Sequence, residues 1–193
     1  MHTPRIHNAI RFAIETHEVN QKQKRKGKDI PYITHPLTVG VILAFAGAEE
    51  DVVIAGILHD TIEDSTESNK VTRELLAKQF GEAVAGLVES VTEARKDLPW
   101  EVRKEEALAH IETFSRDSLL VKSADIISNM NEILDDYNQD GDALWGRFNA
   151  SKAKTLDNKY RSITAILRRW PESPLAADLH ALITRLIPLL ESK

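Results

Sequence analysis

Four side chains able to bind a cation or move a proton fall within six residues, His59-Asp60-Thr61-Ile62-Glu63-Asp64, where the apolar run of residues 52–58 ends. A buried element closes on such groups only where they have partners. On a continuous helix His59 and Glu63 share one face, as do Asp60 and Asp64. An imidazole beside a carboxylate is half of a metal site. Two further positions supply a matching half. His35 precedes Pro36 at the start of a helix, and Asp125 lies in an apolar helical stretch with Asn129 one turn on. Each also has a plainer reading, His35 as a surface histidine beside a proline and Asp125 as the salt-bridge partner of Lys122. Together His35, His59, Asp60 and Asp125 form a thiolate-free N/O set from three helices, suited to Mn²⁺, Fe²⁺ or Zn²⁺. Glu63 and Asp64, one turn beyond, are placed to orient and deprotonate a water. The chemistry this describes is hydrolysis of a phosphoester by water, without a covalent enzyme intermediate.

Nearly every segment that must position these groups reads as helix. Thr3-Pro4 is an N-cap with proline at the first helical position. Ile6, Ile10 and Ala13 then make a stripe that ends at His17, which reads as a core histidine with a hydrogen-bond partner. Residues 20–30 form a loop carrying Lys22, Lys24, Arg25, Lys26 and Lys28 around Gly27. It is either a solvated loop or an anion clamp in which Gly27 lets the backbone turn close to a ligand. Helices are expected over 36–46 and 50–60, from Thr72 to Phe80, and from Pro99 to about Phe114. A long helix over 142–168 would hold Trp145, Arg147, Phe148 and Lys152 in its first turns. Ser173-Pro174 caps a last helix that Pro188 kinks or ends. No stretch alternates with period two for long enough to be a convincing strand. The expected fold is all-α, a single domain over residues 1–193 of about eight or nine helices.

Composition narrows the function classes. The chain is 42% apolar and 28% charged, as in a soluble globular protein. A net charge of −5 implies no general affinity for nucleic acid, so an anionic substrate needs a local basic pocket. The absence of cysteine excludes disulfides, thiolate metal sites and cysteine nucleophiles. No apolar run is long enough to span a bilayer and the N-terminus lacks the apolar segment of a signal peptide, so a cytoplasmic location without membrane partners is expected.

His35, His59-Asp60 and Asp125 match the H…HD…D signature of the HD metal-dependent phosphohydrolase superfamily. Arg25-Lys26-Gly27, Pro31-Tyr32-Ile33-Thr34-His35-Pro36-Leu37, His59 to Asp64, and Lys122-Ser123-Ala124-Asp125 with Asn129 further resemble the hydrolase domain of RelA/SpoT-type alarmone enzymes. The small stand-alone alarmone hydrolases are the nearest kind, and the length leaves no room for a synthetase domain. The resemblance implies one ion, commonly Mn²⁺, on His35, His59, Asp60 and Asp125, with Glu63 and Asp64 activating water. It implies that Arg25 and Lys26 pack on the purine base and that Asn129 lies near the ribose. Lys96, Lys122, Arg147 and Lys152 become candidates for phosphate contacts. The implied reaction removes pyrophosphate from the 3′ position of guanosine tetra- or pentaphosphate; adenosine analogues are open. The alternatives are an HD-type nucleotidase or phosphodiesterase acting on another phosphorylated nucleotide, NADPH included, and a non-catalytic alarmone-binding module.

Overall fold

The computed structural model describes residues 3–93 and 97–191. Its helices are α1 (Pro4–Ile14), α2 (Thr34–Phe45), α3 (Glu50–Leu58), α4 (Thr61–Asp64), α5 (Arg73–Phe80), α6 (Glu82–Val91), α7 (Trp100–Ile111), α8 (Arg116–Asp140), α9 (Lys152–Arg169) and α10 (Ala176–Glu191). A π-helical turn, Glu15–Val19, prolongs α1, and short 3₁₀ turns cover Glu67–Asn69 and Gly141–Arg147. Among the described residues there is no strand, only an isolated bridge between Lys24 and Pro31. The expected all-α bundle is therefore observed. Among the described residues nine helices have eight residues or more, and α4 is a single turn.

The helix α3 is the centre of the bundle. Residues 52–58 are all buried, which is why this stretch is apolar all round rather than along one stripe. It packs on α1, α2, α6 and α8. The contact with α2 is close because each helix offers a glycine. A Cβ on Gly40 would lie 2.5 Å from Ile57 Cγ1, and one on Gly56 would run into the Leu43 side chain. This approach brings the first turn of α2 beside the end of α3. The longest helix, α8, is capped by Ser115, whose hydroxyl accepts from Ser118 N at 3.0 Å. It packs on α2, α3, α6, α9 and α10.

Two helix boundaries depart from the sequence expectation, and of the two outcomes expected at Pro188 the ending is not the one observed. The central helix stops at Leu58 because side chains take its last carbonyls: His59 Nδ1 bonds Gly56 O at 2.8 Å and Thr61 Oγ1 bonds Leu58 O at 2.7 Å. The chain then turns through Asp60 into α4. The single helix expected over 142–168 is split. Gly141, at φ +57°, ends α8, Phe148 is extended, and Ser151 caps α9 by accepting from Lys154 N. Trp145, Arg147 and Phe148 thus sit on the connection, whereas Lys152 opens α9. Finally, α10 runs through Pro188 to Glu191; the proline gives up one N–H bond, to the carbonyl four residues back, without ending the helix.

Candidate metal and phosphate site

The first turn of α2, the α3–α4 corner and the middle of α8 meet at one point. His35, His59 and Asp125 are all buried there, each with one ligating atom within 4.8 Å of the others'. Asp60 stands beside them, its Oδ2 3.1 Å from His59 Nε2 and 3.7 Å from His35 Nε2. Asp125 Oδ1 lies 3.4 Å from His35 Nε2 and 3.9 Å from His59 Nε2. The outer nitrogens of both rings are engaged, His59 Nδ1 with Gly56 O and His35 Nδ1 with Ser128 Oγ at 2.9 Å. Those bonds orient both rings with Nε2 toward the carboxylates.

The donor set fits a divalent cation. His59 Nε2 is buried without an aligned hydrogen bond, facing two carboxylates, an arrangement that demands positive charge between them. Burial disfavours a charged His59, yet Asp60 and Asp125 outweigh it and push its pKa up to about 9. Burial also lowers His35, only partly offset by Asp125. Asp125 is held well below the usual carboxylate range, because the lysine and histidine charges around it, Lys122 first, outweigh burial. A prediction follows from His59. Without a cation it carries a proton below about pH 9, and a divalent ion needs that lone pair. Apparent affinity should therefore fall as pH drops from 9, approaching about tenfold per unit, with release of about one proton per ion at pH 7.5. Titration calorimetry in two buffers of different ionisation enthalpy measures this; zero proton release would refute it.

Glu63 lines the same cavity, of about 160 Å³, as His59, Asp60 and Asp125. Its Oε2 accepts from the backbone N of Glu93 at 3.3 Å. Asp64 turns aside. Its Oδ2 accepts from Gln23 Nε2 at 2.9 Å, Gln23 Oε1 is paired with His17 Nδ1 at 2.9 Å, and Asp64 lines a neighbouring cavity of about 830 Å³ that also contains Glu63. His17 is the buried, hydrogen-bonded histidine expected from its apolar stripe.

The basic residues divide. Lys122 pairs with Asp125 Oδ2 at 2.8 Å, and Asn129 Nδ2 bonds Asp125 Oδ1 at 2.6 Å, so the salt bridge and the ligand arrangement coexist at Asp125. Arg25 bonds Asn129 Oδ1 at 2.7 Å and Glu132, with its guanidinium over the Tyr32 ring. Lys26 lies over the Phe148 ring, 5.2 Å from its centroid. Arg147 is paired with Asp136 and Asp140, and Lys152 with Asp142; neither lines the metal cavity. The basic loop thus docks on the acidic end of α8, and Gly27, at φ +72°, admits the Arg147 side chain. Lys96 lies outside the described residues.

Sequence reasoning missed Ser128, Gln23, Lys104 and Lys159, and gave Tyr32 no role. Ser128, three residues after Asp125 on an apolar helix, carried a legible signal in its spacing. Tyr32 donates to Asp60 Oδ2 at 2.5 Å. Gln23 lies in the basic loop, whose signal was its lysines rather than this amide, and Lys104 and Lys159 come from segments with no local sign of a site.

An all-α bundle that joins a histidine, a His-Asp pair and a distant aspartate around a buried point is the construction of an HD domain. The family model for the HD domain matches residues 9–152, and the chain belongs to that family. Among curated relatives, the guanosine-3′,5′-bis(diphosphate) 3′-pyrophosphohydrolase MESH1 of Xenopus tropicalis is 36% identical over 130 residues, 66% of this chain and 69% of the relative. The guanosine-3′,5′-bis(diphosphate) 3′-pyrophosphohydrolase of Aquifex aeolicus is 44% identical over 95 residues, 49% of this chain but only 12% of that enzyme's length. Among solved structures, a metazoan ortholog of SpoT that hydrolyzes ppGpp superposes with a TM-score of 0.78 at 21% identity, covering 96% of this chain and 97% of that one. That likeness is one of fold. No helix among the described residues is long and apolar enough to cross a membrane.

Proposed function

We propose that this protein is a metal-dependent 3′-pyrophosphohydrolase of guanosine 3′,5′-bis(diphosphate) and its pentaphosphate analogue, releasing GDP or GTP and pyrophosphate. The observation that carries the reading is the buried His35–His59–Asp125 group with Glu63 lining the same lysine-walled cavity. The names of the MESH1 and Aquifex relatives support it. Residues 1–193 are taken as one hydrolase domain, acting in the cytoplasm on a small nucleotide.

His35, His59, Asp60 and Asp125 would hold the ion, Mn²⁺ in this proposal. The ion supplies, when bound, Lewis acidity toward a phosphoryl oxygen and the attacking water. Glu63 takes the proton as water attacks the phosphorus that bears O3′. The bond from that phosphorus to O3′ breaks, O3′ gains a proton, and pyrophosphate leaves. Asp64, steadied by Gln23 and His17, helps to orient the water. Lys122 holds Asp125 ionised and adds positive charge beside the phosphates, and Asn129 reaches toward the ribose. Arg25 and Lys26, with Phe148, offer planar and cationic faces to a purine at the rim. Lys96, Arg147 and Lys152 remain candidates for outlying phosphates, the last two by exchanging aspartate partners for substrate.

If Arg25 stacks on the base, Arg25→Ala should raise KM about 2- to 30-fold, the span of a cation–π contact, with little change in kcat. A loss confined to kcat would instead assign Arg25 to holding Asn129 against Asp125. The whole reading is tested by ion-exchange chromatography of a nucleotide panel, first with Mn²⁺ and then with chelator. The panel includes guanosine and adenosine 3′-pyrophosphates, NADPH, nucleoside monophosphates and cyclic dinucleotides. Chelator-sensitive pyrophosphate release from the guanosine 3′-pyrophosphate is expected. Turnover of another class alone would keep the metal site and overturn the substrate.

A further inference from the structure

The cavity beside the metal group has a second wall that the sequence motifs mark only at Lys122. It is built by Lys104 of α7, Lys122 of α8 and Lys159 of α9. Two of these lysines are already matched to carboxylates, Lys104 to Glu93 and Lys122 to Asp125. Lys159 forms no hydrogen bond or ion pair among the described residues. Its side chain is half-buried, and an ammonium group drawn partly out of water without a partner is costly unless an anion is to join it.

The charges on the cavity lining point the same way. With His59 neutral, as a metal ligand must be, three lysines and the carboxylates of Asp60, Glu63, Glu93 and Asp125 sum to −1, and a divalent ion brings the lining to +1. A volume of about 160 Å³ is below the range of sites that enclose a whole drug-sized ligand, so it suits a compact anion with the nucleoside outside. Burial, with Lys122 and Lys104 nearby and only partial relief from Asp125, lowers the Lys159 pKa to about 8. It would rise as an anion arrives.

We propose that Lys159, supported by Lys104, receives the distal phosphate of a 3′-pyrophosphoryl group and so makes the site prefer pyrophosphoryl over single phosphoryl substrates. This rests on the function proposed above. The ion and Lys122 suffice for the phosphate nearest the metal group; a second phosphate brings further negative charge, and among the described residues that line the cavity Lys159 is the lysine not already matched to a carboxylate. Both bridging and terminal oxygens of pyrophosphate accept hydrogen bonds, and three ammonium donors from three helices can hold it without any base contact.

The test separates this proposal from the activity itself. Inorganic pyrophosphate and orthophosphate are titrated calorimetrically into the Mg²⁺-saturated protein. Lys159→Met should weaken pyrophosphate binding about tenfold or more, the loss expected for a charged hydrogen bond, and orthophosphate by less than about threefold. Lys159→Arg should restore most of the difference. Independently of any variant's folding, bound pyrophosphate should protect Lys159 from reductive methylation at pH 8, read by peptide mass spectrometry, while an exposed lysine such as Lys24 is labelled as before. Equal losses for both anions, unchanged pyrophosphate affinity in Lys159→Met, or absence of protection would overturn the proposal. If these binding results hold while the guanosine 3′-pyrophosphate is not hydrolysed, the substrate reading fails and the pyrophosphate wall stands.

Discussion

Asp125→Asn should leave a folded protein that no longer retains a stoichiometric divalent ion through dialysis and has lost about 10³-fold or more in kcat/KM. A metal ion supplies several kcal/mol of charge stabilisation to phosphoryl transfer, and each 1.36 kcal/mol is about tenfold. The asparagine substitution separates metal loss from unfolding. Asp125 holds Lys122 at 2.8 Å, and both are largely withdrawn from solvent. Asp125→Ala would strip that lysine of its partner, at a cost of about 3–5 kcal/mol for a buried pair broken from one side. The asparagine keeps an amide oxygen for Lys122. Metal content by mass spectrometry, kcat/KM, and the urea midpoint measured on both variants decide the matter. Full metal content and full turnover in Asp125→Asn would remove Asp125 from the ligand set.

Glu63→Gln should do the opposite to the metal and nearly as much to the rate. Its carboxylate lines the cavity of the metal group and is oriented by the backbone N–H of Glu93, a bond that glutamine can also accept. Metal content should therefore stay unchanged while kcat falls about 10²- to 10⁴-fold, the contribution of a positioned general base. Asp64→Asn is the natural comparison. Asp64 points to Gln23 and lines the adjoining cavity, so its loss should act through orientation and be the smaller of the two. A kcat in Glu63→Gln within a few-fold of the unaltered protein would move the base to Asp64.

The all-α architecture was legible in the sequence because helix signals are local. Thr3-Pro4 and Thr72 cap the helices they precede, and the apolar run of residues 52–58 is the buried central helix. Competition between local signals misled at two places. The stripe Leu156–Ile163–Leu167 continues a helical period from residue 142 onward, but Gly141 and the Ser151 cap interrupt the backbone that would carry it. His59, inside the helix expected over 50–60, and Thr61, just past it, use their side chains to end that helix at Leu58. The metal half-sites were legible because His-Asp at the end of a buried run is a local contradiction that only a partner resolves.

By itself the sequence determined the class of chemistry: which residues are expensive to bury, hence which must meet, and which divalent ions such a set can hold. Tertiary structure alone decided the assignment of the surrounding charges. Lys28, Arg147 and Lys152 lie near Arg25 and Lys26 in the chain or share their sign, yet the acidic end of α8 claims the first two and Asp142, just beyond it, claims Lys152. Lys159, 34 positions beyond Asp125 and without a motif, ends in the cavity instead. The physical reason is that a ligand's fitness is set by residue type and burial, which short-range pattern reports. The pairing of a long, flexible cation is set by which carboxylate the packing of three separate helices leaves within its reach.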